Sequence, residues 1–158
     1  MVQDYTNLEI IIAENNSTEE ETFSFYDDIV KMDGRIRVLY YPEEGFNYSR
    51  INNFAIGKAK GEYILLLNND TEMIAKDVIS SLMREAERDD VGAVGPLMLY
   101  DDGRVQHAGV ILGIHDEARH AFEGLSYPAK GYMNRLILKQ GYSALTAACL
   151  LMKKDTYL

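Results

Sequence analysis

With 158 residues, 47% of them hydrophobic and 26% charged, the chain suits one globular domain able to bury roughly two-thirds of its unfolded surface. A formal net charge of −9 has the wrong sign for wrapping a phosphate backbone, which excludes nucleic acid as an expected partner. The single cysteine, Cys149, excludes an internal disulfide and a cysteine zinc cluster.

Residues 8–13 form a short β-branched run of the kind seen in buried parallel strands. Thr18 and Glu21 fit a capping box, and Phe23, Tyr26, Ile29 and Val30 recur at helical spacing until Gly34 supplies a stop. A second strand is predicted over 36–40 and a helix over 49–60, with Ile51, Ala55, Ile56 and Ala59 on one side. A third strand over 62–67 runs into a polar turn, a helix follows over 76–89, and a fourth strand over 91–94. This alternation predicts a mainly parallel sheet with helices on both faces.

After Gly95-Pro96 the rhythm changes. Residues 97–100 and 104–112 flank Asp101-Asp102-Gly103 and predict a hairpin, 113–131 predict a loop or lid, and 146–152 predict a last apolar strand. The expectation is one domain with a nucleotide-binding half over 1–95 and a more antiparallel half over 96–158. No apolar run reaches the ~20 residues of a membrane span, and residues 1–20 lack a signal-peptide core. A cytoplasmic location, with at most peripheral attachment to the inner face of the membrane, is expected.

Open parallel sheets bind ligands at the carboxyl ends of their strands, and two such ends here are unusually polar. One is Glu14-Asn15-Asn16-Ser17 and the other Asn68-Asn69-Asp70-Thr71-Glu72. A carboxylate just past an apolar strand suits Mg²⁺ or Mn²⁺, which take oxygen ligands and bridge to phosphates. The same residue types also make a turn that caps the next helix, and spacing alone leaves both readings open. The Gly-rich patterns of phosphate loops and dinucleotide sites are absent, which sets aside kinases, GTPases and dehydrogenases.

The block Glu9 to Thr18 resembles the early strand and Asp-Asp-Gly-Ser motif of family 2 glycosyltransferases. Phe46 to Asp70 resembles the longer block ending in that family's Asp-X-Asp motif. Asp102 to Gly113 and Thr146 to Met152 resemble a bacterial rhamnosyltransferase-like subgroup. Four blocks in order cover nearly the whole chain. The resemblance implies the GT-A fold and metal-assisted, inverting transfer of a sugar from a UDP- or dTDP-linked donor to a glycan acceptor in cell-surface polysaccharide synthesis.

Carried over residue by residue, it implies that Glu14 meets the base with Asn15 beside it, that Asn53 helps shape the nucleotide site, and that Asn68 lies near the ribose. Asp70 is then the metal ligand. Two positions depart from the family pattern: Asn68 replaces a carboxylate, and Glu14 replaces an Asp. The family's first strand has no counterpart before Leu8, and its general base is expected beyond Leu158, so no base is assigned. The competing expectation is a truncated, non-catalytic module that binds nucleotide sugars or scaffolds a partner. An exposed sheet edge left by the absent strand predicts pairing with a second copy.

His107, in Gln-His-Ala-Gly, is a candidate lining residue for the donor-sugar and acceptor site. His115, Asp116 and His120 are set aside as a metal cluster, because i, i+5 spacing does not put both histidines on one helix face. Cys149 is expected to be a small buried hydrophobe.

Overall fold

The computed structural model describes residues 3–114 and 117–158. Strands β1 (Ile10–Glu14) and β2 (Ile36–Tyr40) pair in parallel, with Ile10 opposite Ile36 and Glu14 opposite Tyr40. Helix α1 (Glu20–Met32) makes the crossover, and the Phe23 ring stacks on Tyr40 with centroids 6.4 Å apart. The predicted capping box does not form. Glu19 is the N-cap without a side-chain bond, while Glu14 Oε1 accepts the Ser17 N–H at 2.5 Å and holds the connection in a turn. Glu20 and Glu21 still face the positive end of the helix.

Helix α2 (Tyr48–Lys58) is capped by Asn47, whose side chain accepts the Arg50 N–H, and it buries Ile51 and Ile56. It leads into β3 (Tyr63–Leu67). The Glu9 carboxylate ties the start of β1 to this turn, accepting the Lys60 and Gly61 N–H groups and pairing with Arg37 at 2.7 Å. Burial would raise the Glu9 carboxyl, but the Lys60 N–H and the Arg37 guanidinium outweigh it and hold the group below the usual carboxylate range.

The largest departure from the predicted sheet lies beyond β3. Helix α3 (Val78–Ala86) carries the chain to β4 (Ala93–Val94), yet β3 and β4 do not pair. Strand β9 (Cys149–Lys153) lies between them and is antiparallel to both. β3 and β4 therefore run parallel to each other one strand apart, and β1–β2 is the one directly paired parallel couple among the described residues. The expectation of a mainly parallel sheet is corrected to a mixed one, set in an α/β frame.

The reason lies in the alternation along β9. Cys149 and Leu151 pack with Leu82 and Ala86 of α3, whereas Leu150 and Met152 pack with Ile56, Ile64 and Leu66 on the α2 side. A strand apolar on both faces gains most in an interior slot. Helix α4 (Lys154–Tyr157) follows it directly.

The second half also departs from its predicted hairpin. β5 (Met98–Leu99) and β6 (Val105–His107) pair around Gly103, but the strand breaks at Gly109, whose φ is +106°. β7 (Val110–Ile114) instead pairs with β8 (Glu117–His120), which lies within the stretch predicted as a loop. A Cβ on Gly109 would sit 2.3 Å from the Tyr142 ring, so both the φ and the close approach require glycine there. The Val110 N–H then donates to the Ala144 carbonyl at 2.9 Å.

Candidate functional site

A shallow depression of about 500 Å³ is lined by Ile12 of β1, by Glu21, Thr22, Phe25 and Tyr26 of α1, and by Asn69 of the turn after β3. Of the two polar strand ends that the sequence singled out, Asn69 lines this depression, and Glu14, Asn15, Asn68 and Asp70 are not among its lining residues. Neither β1 nor β3 has a strand partner on its other edge among the described residues.

Glu14 is 5% exposed, and its side chain is spent on the Ser17 N–H, while its carbonyl accepts the Tyr41 N–H at 2.9 Å. Asn15 differs. Its Oδ1 is buried with no hydrogen-bond partner among the described residues. Such an acceptor costs free energy unless a donor reaches it. Asn16 occupies the left-handed region (φ 58°) and donates its side-chain N–H to the Glu43 carbonyl. Glu43 in turn accepts from Tyr41 Oη and Arg50, which hold its carboxyl below the usual range.

At the second strand end, the half-buried Asn68 donates its backbone N–H to Ala148 at 2.9 Å, which ties the turn to the segment entering β9. Asn68 also accepts the Thr71 N–H, so the turn closes on itself. Asp70 is exposed and makes no ion pair with another described residue. Among the described residues no group of three or more His, Cys, Asp or Glu side chains converges as a metal cage. A single exposed carboxylate nevertheless suits Mg²⁺ or Mn²⁺ that keep waters and phosphate oxygens as their other ligands.

Asn53 is placed differently from Glu14, Asn15, Asn68 and Asp70. It is exposed on α2, and its Oδ1 accepts a hydrogen bond from Tyr157 Oη at 2.8 Å, fastening α4 to α2. His107 is buried, 1% exposed. Its Nδ1 lies 2.8 Å from Nδ1 of His120, a contact invisible at sequence level because residues of different strands supply it. His115 and Asp116 lie outside the described residues. Cys149 is buried as expected, and burial pushes its thiol up to about 11.

The chain thus carries polar residues just past the ends of two strands of an α/β frame. Residues 1–155 match the family described as Glycosyl transferase family 2, and the chain belongs to that family. It is 43% identical over 97% of its length to the uncharacterized protein y4gI of Sinorhizobium fredii, covering 17% of that protein. It is 35% identical over 97% of its length to the O-antigen biosynthesis protein RfbC of Myxococcus xanthus, covering 12% of it. A more distant relative, 27% identical over 65% of this chain and covering 33% of that protein, is the Campylobacter jejuni GalNAc(5)-diNAcBac-PP-undecaprenol beta-1,3-glucosyltransferase. The chain therefore spans well under a fifth of the first two relatives. No solved structure matches it.

Proposed function

We propose that this chain is the nucleotide-diphosphate-sugar-binding part of a glycosyltransferase of the GT-A type that builds a bacterial surface glycan. The observation that carries this reading is the unsatisfied Asn15 Oδ1 just past the end of β1, in a chain whose residues 1–155 match the family. A uracil or thymine ring offers an N–H donor of the kind that oxygen lacks. Glu14, already engaged by Ser17, supports the turn that carries Asn15.

On the β3 side, the Asn68 amide offers a donor and an acceptor to a ribose hydroxyl. Mg²⁺ or Mn²⁺ held at Asp70 would offset the charge that develops on the leaving diphosphate. Asn68 in place of a carboxylate leaves less negative charge at the site, which favours metal binding coupled to nucleotide over tight binding of the metal alone. The sugar is then transferred with inversion to a glycan acceptor, and a rhamnosyl donor fits the resemblance of Asp102 to Gly113.

The relative named for O-antigen biosynthesis supports a cell-surface glycan as the product. Among the described residues no helix is long and apolar enough to cross a membrane. The unpaired edges of β1 and β3 offer backbone groups to a second copy. The second reading, a non-catalytic binding module, draws on Asn68 alone.

Calorimetric titration with UDP and with dTDP, each with and without Mn²⁺, tests the proposal beside Asp70→Ala. Metal-dependent binding that disappears in the variant is expected. Equal binding by the variant would remove Asp70 from the site, and no binding of either nucleotide would refute the nucleotide-binding role of this segment.

A further inference from the structure

Between Glu123 and Asp155 the chain carries no carboxylate side chain and five cations, Lys130, Arg135, Lys139, Lys153 and Lys154, in a molecule whose formal net charge is −9. Within that stretch, residues 130–136 form a loop that its own backbone closes. The Leu136 N–H donates to the Lys130 carbonyl at 3.0 Å, and inside this closure the Arg135 N–H reaches the Tyr132 carbonyl at 3.0 Å. The Ile137 N–H donates to the Asn134 carbonyl at 3.1 Å. Gln140 clasps the far end, accepting from Arg135 Nε at 2.7 Å and donating to the Arg135 carbonyl.

Leu136 anchors the loop. It is buried, and a Cβ on Gly131 would sit 3.1 Å from the Leu136 Cβ and 3.0 Å from the Phe122 ring, so the two sides of the loop meet over Phe122. Gly131, Met133 and Asn134 all take positive φ, which turns the chain back within a few residues.

The side chains left outside are of two kinds. Tyr132 and Met133 are 75% and 73% exposed, and Ile137 and Leu138 are more than half exposed. Lys130 and Arg135 are exposed and make no ion pair with another described residue, whereas Lys139 pairs with Glu85. An apolar side chain alone on a surface needs no explanation, but four on one closed loop mark a contact surface.

Charge selects the partner. Where exposed apolar groups stand among cations, a lipid interface satisfies both: the apolar groups enter the acyl boundary, Tyr rests at headgroup level, and the cations meet phosphates. One signal alone gives marginal attachment, and two together hold. The acidic remainder of the molecule is repelled by an anionic surface, which orients the chain with this loop towards it. That repulsion is screened beyond about 10 Å at 0.1 M salt, so it does not cancel the local attraction.

We propose that residues 130–138 dock this chain on the surface of a bilayer containing anionic phospholipid. Tyr132, Met133, Ile137 and Leu138 enter the interface, and Lys130 and Arg135 meet lipid phosphates. The attachment is peripheral and does not depend on the nucleotide reading above.

The chain has no tryptophan, so Tyr132→Trp gives the loop its own fluorophore. With mixed phosphatidylcholine–phosphatidylglycerol vesicles its emission should shift to the blue and be quenched by lipid brominated in the acyl chain. With phosphatidylcholine alone it should stay as in buffer. Co-sedimentation of the native chain should show the same preference and weaken between about 0.1 and 0.5 M salt. Each cation near an anionic surface strengthens attachment about fivefold, so Lys130→Gln with Arg135→Gln should lower it at least about tenfold. The same charge change at Lys31 and Lys58, outside the loop, should lower it less than about twofold. Tyr132→Ser with Met133→Asn should lower it at least about fivefold through lost apolar area.

These substitutions leave Gly131, Leu136 and the backbone closure in place, and circular dichroism should match the parent. Should one of them fail to fold, the lipid preference of the native chain and the emission of Tyr132→Trp still decide. No binding to mixed vesicles, equal binding to phosphatidylcholine alone, or loop substitutions without effect would each overturn the proposal. Sedimentation with vesicles while the indole emission stays as in buffer would put the attachment elsewhere, and the proposal falls. It falls too if the chain ignores vesicles and instead self-associates in a way that Tyr132→Ser with Met133→Asn abolishes.

Discussion

Replacing Glu14 by Ala and by Gln separates holding the turn from meeting a base, two roles that the sequence merges. The carboxylate is 5% exposed and accepts the Ser17 N–H at 2.5 Å. Hydrogen bonds to charged groups contribute about 1.5–3 kcal/mol, and removing the side chain also orphans the Ser17 donor. Relief from desolvating the carboxylate offsets part of this, so the lower half of that range is expected for Ala. A domain of this length shifts its Tm by about 2–4 °C per kcal/mol, which puts Glu14→Ala about 3–9 °C below the parent. Gln keeps an oxygen for Ser17 without the charge, and its Tm should fall by no more than about 3 °C. The backbone bond from Tyr41 survives in both variants. Scanning calorimetry reads the Tm, and UDP titration below the transition reads binding. An Ala variant as stable as the parent would refute the structural role. A Gln variant of parental stability that no longer binds UDP would return the base contact to Glu14 itself.

Other perturbations test the core and its titrating groups. Leu151, 3% exposed in the central strand β9, should cost about 2–5 kcal/mol on replacement by Ala, read as a fall in urea midpoint; a loss under about 1 kcal/mol would contradict the interior place of β9. Cys149, with its thiol pushed up to about 11 by burial, should react with a thiol reagent only as fast as the chain opens, so labelling of the folded protein at the rate of a free thiol would contradict its burial. Burial, with His120 pulling the same way, holds His107 down to about 4 in the folded chain against 6.5 ordinarily. The unfolded chain therefore binds more protons between these values, so this group's contribution to stability is complete above about 6.5 and is lost as pH falls towards 4. The urea midpoint of the parent should drop more steeply over that window than that of His107→Gln; parallel profiles would refute the assignment.

The strand and helix segments were largely legible because their signals are local. The β-branched run before Glu14, the apolar run of 63–67 and the helical spacing of Phe23, Tyr26 and Ile29 each state a period without reference to the rest of the chain. The polar strand ends were legible for the same reason. β7 and β8 were not, since the break at Gly109 is imposed by the Tyr142 ring, 33 positions away (142 − 109 = 33). Asn53 was readable as a polar residue on a helix, but its engagement with Tyr157 was not.

By itself, then, the sequence determined the strands and helices of the first half, which strand ends are polar, and that Asp70 follows an apolar strand. The tertiary structure alone decided that β9 separates β3 from β4, that Glu14 is consumed by its own turn while Asn15 is left unsatisfied, and that His107 meets His120. Periodicity reports the faces of one segment, whereas the neighbour that each face and each proton finds depends on which distant segments fill the space beside it.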